Sequence, residues 1–198
     1  MEADRRVKTI NRIAAVSVIL LSLIGGLVFT VVSERSEKKR YPQKYAETVS
    51  REAAAAGIPE SAAYAAMLVT SGFDPAFTGD NGEAGLFGMT PEVFSELAAK
   101  TGESDDQRLL HDPEVSIKFG CMQIAMLWRE YRSWETVWTA FTAGRAAVEE
   151  QTGADGSLDL SKYPRAVSQR VKKLLAALEK YEELYGEQSS SDTENTIN

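Results

Sequence analysis

Ala65-Ala-Met-Leu-Val-Thr-Ser-Gly-Phe-Asp-Pro75 and, a few residues on, Gly82-Glu-Ala-Gly-Leu-Phe-Gly-Met-Thr-Pro91 decide how this chain is read. The first stretch closes a helix. Tyr64, Met67, Leu68 and Ser71 share one helical face, and Gly72 with Asp74-Pro75 stops the pattern. Thr70 therefore falls in the last turn, where a helix end beside a loop exposes a side chain for chemistry. Pro59 is placed to open this helix, and Gly57 to end the preceding one as a left-handed cap, because Tyr45, Val49, Ala53 and Ala56 lie at helical spacing before it.

Further along, Thr90-Pro91 and Asp112-Pro113 each pair an N-cap residue with proline at the first helical position. The helix after Asp112 carries Ile117, Gly120, Cys121, Ile124, Leu127, Trp128 and Tyr131 in one broad stripe, with Gly120 and Cys121 small enough to admit a close neighbouring helix. Ser133 caps a helix bearing Trp134, Val137, Trp138 and Phe141, whose tryptophans read as core. A last helix, roughly Tyr163 to Tyr185, turns Val167, Val171, Leu174, Leu178 and Tyr181 inward. Its charged outer face reads as solvated surface. No strand pattern and no internal repeat is present, so the predicted fold class is mainly α.

The flanks differ in character. Residues 13–32 are uncharged, about 20 residues that suffice as a helix to cross a bilayer core. They are longer than the apolar region of a signal peptide, and the expectation is an uncleaved single-pass anchor between a cytoplasmic arm, 1–12, and a charged stalk, 33–40. Four basic residues stand on each side of the anchor, so flanking charge leaves its orientation undecided. Residues 186–198 are polar and aperiodic and are expected to be disordered. Beyond residue 40 stand 14 basic against 25 acidic residues, a formal charge of −11, which argues against nucleic acid as a partner. One cysteine, Cys121, and one histidine, His111, are too few for a structural zinc site. No metal and no cofactor is expected.

The order of motifs is more specific than any one of them: Tyr41-Pro42, Thr70-Ser71-Gly72-Phe73-Asp74-Pro75, Gly85-Leu86 before Thr90-Pro91, Asp112-Pro113 with Ile117 and Gly120, Trp134, Ala140-Phe141-Thr142-Ala143-Gly144 and Val171-Lys172-Lys173. In this order the chain resembles the lytic transglycosylase family (soluble lytic transglycosylase-like, SLT domain) over most of 41–185. The resemblance implies a lysozyme-like, goose-type helical domain that binds peptidoglycan glycan strands in a long cleft. In such enzymes one glutamate protonates the oxygen between N-acetylmuramic acid and N-acetylglucosamine and then helps the muramic 6-hydroxyl close an anhydro ring. Thr70 stands where that glutamate is expected. An alcohol cannot release a proton near neutral pH, and losing general acid catalysis alone costs about 10² to 10⁴ in rate.

Other departures fall on the same implied cleft. The family's Met-Gln is here Phe87-Gly88, its Tyr-Asn-Ala-Gly is Phe141-Thr142-Ala143-Gly144, and its Glu-Thr-Arg-x-Tyr is Ala166, Val167, Ser168, Gln169 and Arg170. The resemblance makes Ser71, Phe87, Gly88, Phe141 and Thr142 candidate substrate-binding residues. Glu83 is the candidate substitute acid, although in family members a glutamate there accompanies the main acid. Asp74 reads as a turn cap before Pro75, and His111 as a surface or capping residue. The expectation is a membrane-anchored, extracytoplasmic domain of the bacterial envelope, catalytically inactive, that binds glycan or holds an envelope protein such as a wall hydrolase, a synthase or a secretion or division complex. The competing expectations are an active transglycosylase using Glu83 and an interaction module that no longer binds sugar.

Overall fold

A computed structural model of the chain describes residues 35–153 and 158–194. The chain divides into two compact units, Met1–Pro42 and Gln43–Asn198. In the first, residues 35–40 are helical (α1), so the described part of the expected stalk is a helix. The expected anchor, 13–32, and the arm before it lie outside the described residues. Among the described residues no helix is long and apolar enough to cross a membrane.

The second unit is built of α2 (Ala46–Ala56), α3 (Glu60–Thr70), α4 (Pro91–Thr101), α5 (Pro113–Tyr131), α6 (Trp134–Ala143), α7 (Arg145–Gln151) and α8 (Arg165–Glu194), with short 3-10 turns at Gln107–His111 and Leu160–Lys162. Pairing of extended backbone among the described residues is limited to isolated bridges, Thr78 with Ala84 and Ala84 with Met89. The caps explain most boundaries. Gly57 ends α2 in the left-handed region at φ 72°. The Thr90 hydroxyl accepts from the Val93 N–H, and Asp112 Oδ1 accepts from Glu114 N at 2.8 Å, each ahead of a proline at the first helical position. Pro59 sits one place earlier than expected, extended at the N-cap, so α3 begins at Glu60.

The packing of α3 differs from the one-faced helix that its sequence suggests. Ala62 through Met67 are all buried, six residues in a row, because α3 packs on α8, α2 and α5, and four alanines let those neighbours come close on several sides. Tyr64 stacks on Tyr181 of α8 with ring centroids 5.2 Å apart. The predicted stripe of α5 is present: Ile117, Cys121, Ile124 and Leu127 are buried. Gly120, however, admits no helix. The ring of Phe87, from the loop before α4, fills the place where a Gly120 side chain would be. Trp128, Trp134 and Trp138 stack in series across the α5–α6 corner, at 4.5 Å and 5.4 Å, and Trp138 meets Phe141 edge-on at 5.7 Å.

Two features escape the sequence pattern. Helix α7 is seven residues with one buried side chain, Val148, too short to show a period. Helix α8 continues to Glu194, where a disordered tail from 186 is expected. Gly186 costs a helix interior only about 1 kcal/mol, and no proline follows it to break the ladder.

In a helix interior, glycine to alanine ordinarily stabilises by about 1 kcal/mol. At Gly120 the opposite is expected. Gly120→Ala should lower unfolding free energy by about 1–3 kcal/mol through overpacking against Phe87, read from the urea midpoint at unchanged m-value.

Candidate functional site

The residues between α3 and α4 form a loop fixed by backbone bonds rather than by a sheet. Ala84 and Met89 exchange hydrogen bonds at 2.9 and 3.0 Å, Gly79 N–H donates to the Glu83 carbonyl at 2.8 Å, and Gly85 N–H donates to Phe77 at 3.0 Å. Gly85 has φ +75°, and a side chain there would run into the Leu110 carbonyl and Ser116, so only glycine lets this loop lie against α5. The Leu86 N–H is taken by the Ser116 hydroxyl at 2.9 Å.

This geometry sorts the candidate residues. Ser71 donates its hydroxyl to the Leu86 carbonyl at 2.8 Å, which ties the end of α3 to the loop, and it does not line the pocket of Gly88, Phe141 and Thr142. Phe87 is fully buried on Gly120 and is a core residue, not a cleft residue. Asp74 Oδ1 accepts from Ala76 N–H at 2.9 Å, the turn role its place before Pro75 suggests. His111 lies with Nδ1 2.9 Å from the Pro75 carbonyl oxygen. Gly88, Phe141 and Thr142 do line a common pocket of about 380 Å³, together with Asn81, Glu83 and Arg170. Thr70 borders it through Gly88: a side chain at Gly88 would meet the Thr70 methyl at 2.5 Å. A larger pocket, about 680 Å³ between α2, α4 and α5, contains none of these residues.

Arg170 links the pocket to the end of α3. It stands one residue before the buried Val171 of α8, and its Nη2 donates to the Thr70 hydroxyl at 2.9 Å. Burial pulls its pKa below the usual arginine value and the Glu83 charge partly offsets this, yet guanidinium remains a cation. Its Nε is buried without a hydrogen-bond partner, as is the Thr142 hydroxyl. The carboxylate of Glu83 faces its own loop: Oε2 accepts from Asn81 N–H at 2.9 Å and Oε1 from the Asn81 amide at 3.1 Å. The Asn81 side chain first, backbone N–H groups next and the Arg170 charge last hold Glu83 below the usual carboxylate range. It is therefore ionised at neutral pH, the reverse of what a general acid needs. Asn81 was legible only as the residue two before Glu83 in a glycine-flanked turn. Arg170 was legible only as a departure from the last helix of the family.

The family model for the transglycosylase SLT domain matches residues 47–164, more than half of the chain. The chain belongs to this family. Among solved structures, the SLT domain is similar to an inactive mutant of the lytic transglycosylase Slt from Pseudomonas aeruginosa, with TM-score 0.68 and 21% identity over 74% of this chain and 25% of that one. It is similar also to the 70-kDa soluble lytic transglycosylase from Escherichia coli, with TM-score 0.69 and 22% identity over 76% of this chain and 26% of that one. A complex of the 70-kDa soluble lytic transglycosylase with bulgecin A gives TM-score 0.68 at 22% identity, over 76% and 26%. These likenesses show a shared fold, and the chain spans about a quarter of the length of each of those proteins. No curated protein matches the chain.

The hydrogen bonds to Glu83 carry a measurable sign. A carboxyl-detected NMR titration should find Glu83 titrating below ordinary glutamate, and Asn81→Ala should move its midpoint upward. Because a depressed pKa adds stability above the unfolded value, that contribution is present at neutral pH and fades as pH falls through the Glu83 midpoint.

Proposed function

We infer that this SLT domain is a catalytically inactive relative of the lytic transglycosylases that binds peptidoglycan glycan in the groove beside Thr70 and Phe141. We place the domain outside the cytoplasm, held at the membrane by residues 13–32. The observation that carries the inactive reading is the hydrogen bond from Arg170 to Thr70: the position of the expected proton donor holds an alcohol bonded to a fixed cation. Such a pair can accept and orient ligand oxygens, and it has no proton to give near neutral pH. Glu83, ionised and turned onto Asn81, does not supply one. The groove still offers an aromatic wall, Phe141, and polar side chains suited to a sugar.

The full chain incubated with peptidoglycan should release no anhydromuramyl product by mass spectrometry and should co-sediment with insoluble peptidoglycan. Phe141→Ala should weaken that sedimentation several-fold, about 1 kcal/mol of lost ring contact. Product release that disappears in Glu83→Gln would instead establish an active enzyme. Thr70→Glu alone should stay inactive, because Arg170 would pair with the new carboxylate and keep it ionised. Removing that cation as well, in Thr70→Glu with Arg170→Tyr, should yield more product than the single change.

A further inference from the structure

We propose that the groove is built to take a ligand bearing a single carboxylate, with Arg170 as the residue that receives it. This rests on the glycan-binding reading and adds the chemical class recognised. Arg170 lines the pocket as a cation that has been partly stripped of water and only partly re-partnered: one hydrogen bond goes to Thr70, and Nε is buried with none. Leaving a buried polar group unpaired is costly, and more so for a charged one, so an acceptor brought against this guanidinium relieves a penalty already present in the free protein. Across the pocket, on α6, the Thr142 hydroxyl is also buried without a partner. Two residues with under-satisfied groups, one on α8 and one on α6, thus line one space of about 380 Å³, enough for a sugar-sized group.

The protein does not neutralise this cation itself. Glu83 influences Arg170 through space, but no ion pair within 4.0 Å joins them, and both Glu83 oxygens are engaged by Asn81. The balance of charge selects the anion. Glu83 and Asp80 line the same pocket on a domain of formal charge −11, a setting that resists a phosphate dianion while a planar, singly charged carboxylate matches the guanidinium edge. Within peptidoglycan such a group is present on stem peptides and, where the stem peptide has been removed, on the lactyl ether of muramic acid, and it is absent from N-acetylglucosamine. Burial of the pair would also make its attraction resistant to salt.

Three probes isolate the carboxylate: N-acetylmuramic acid, its methyl ester and N-acetylglucosamine, titrated by calorimetry into the full chain in neutral detergent. N-acetylmuramic acid should bind roughly tenfold or more tightly than either neutral sugar, as a charge-assisted hydrogen bond predicts. Arg170→Gln should erase that preference, and Arg170→Lys should keep part of it, with folding of each variant checked by circular dichroism. Equal affinity for the acid and its ester, a preference that survives Arg170→Gln, or no binding of any probe would overturn the carboxylate site. Co-sedimentation with peptidoglycan separates the two ideas: if it persists when the acid and ester bind alike, the groove binds glycan without reading its charge. If it fails while the acid still binds through Arg170, the carboxylate site stands and the glycan reading falls.

Discussion

The ring of Phe87 lies on the bare backbone of α5 at Gly120, and from that contact follows the position of the groove. A side chain at Gly120 would lift Phe87, and with it Leu86 and Gly88, whose neighbours Ser71 and Thr70 end α3. Gly85 applies the same constraint from the other side, held against the Leu110 carbonyl at positive φ. The loop is thus clamped between α3 and α5 by two glycines and a handful of backbone bonds. What lines the groove does so because the rest of the loop has nowhere else to go.

Those same constraints explain what could be read from the residues alone. Helix ends were legible where a short-range cap sets them: Gly57 after α2, Thr90-Pro91 before α4 and Asp112-Pro113 before α5 each act within four residues. Thr70 at the close of α3 was legible for the same reason. The burial of Phe87 is not legible locally, because it depends on Gly120, 33 positions away in α5. The partner of the Ser71 hydroxyl, the Leu86 carbonyl, is likewise outside its own helix. Arg170 meets Thr70 across a separation of 100 residues, which no local pattern encodes.

At the end of α3 an alcohol, Thr70, is bonded to a cation, Arg170. Desolvating arginine is expensive, and a cation kept partly covered at the wall of a groove is hard to explain as a contribution to stability alone. The pair of Thr70 and Arg170 keeps a constant charge across the physiological range.

The tryptophan series at the α5–α6 corner gives the domain a built-in optical probe. Trp128, Trp134 and Trp138 are close enough for their excited states to couple, and the last of them meets Phe141, which forms a wall of the groove. Emission and near-ultraviolet dichroism of this one cluster therefore report two events at once: the docking of α6 on α5, and any shift of Phe141 when the groove fills. Occupancy of the groove becomes visible through the protein's own chromophores, with no label attached.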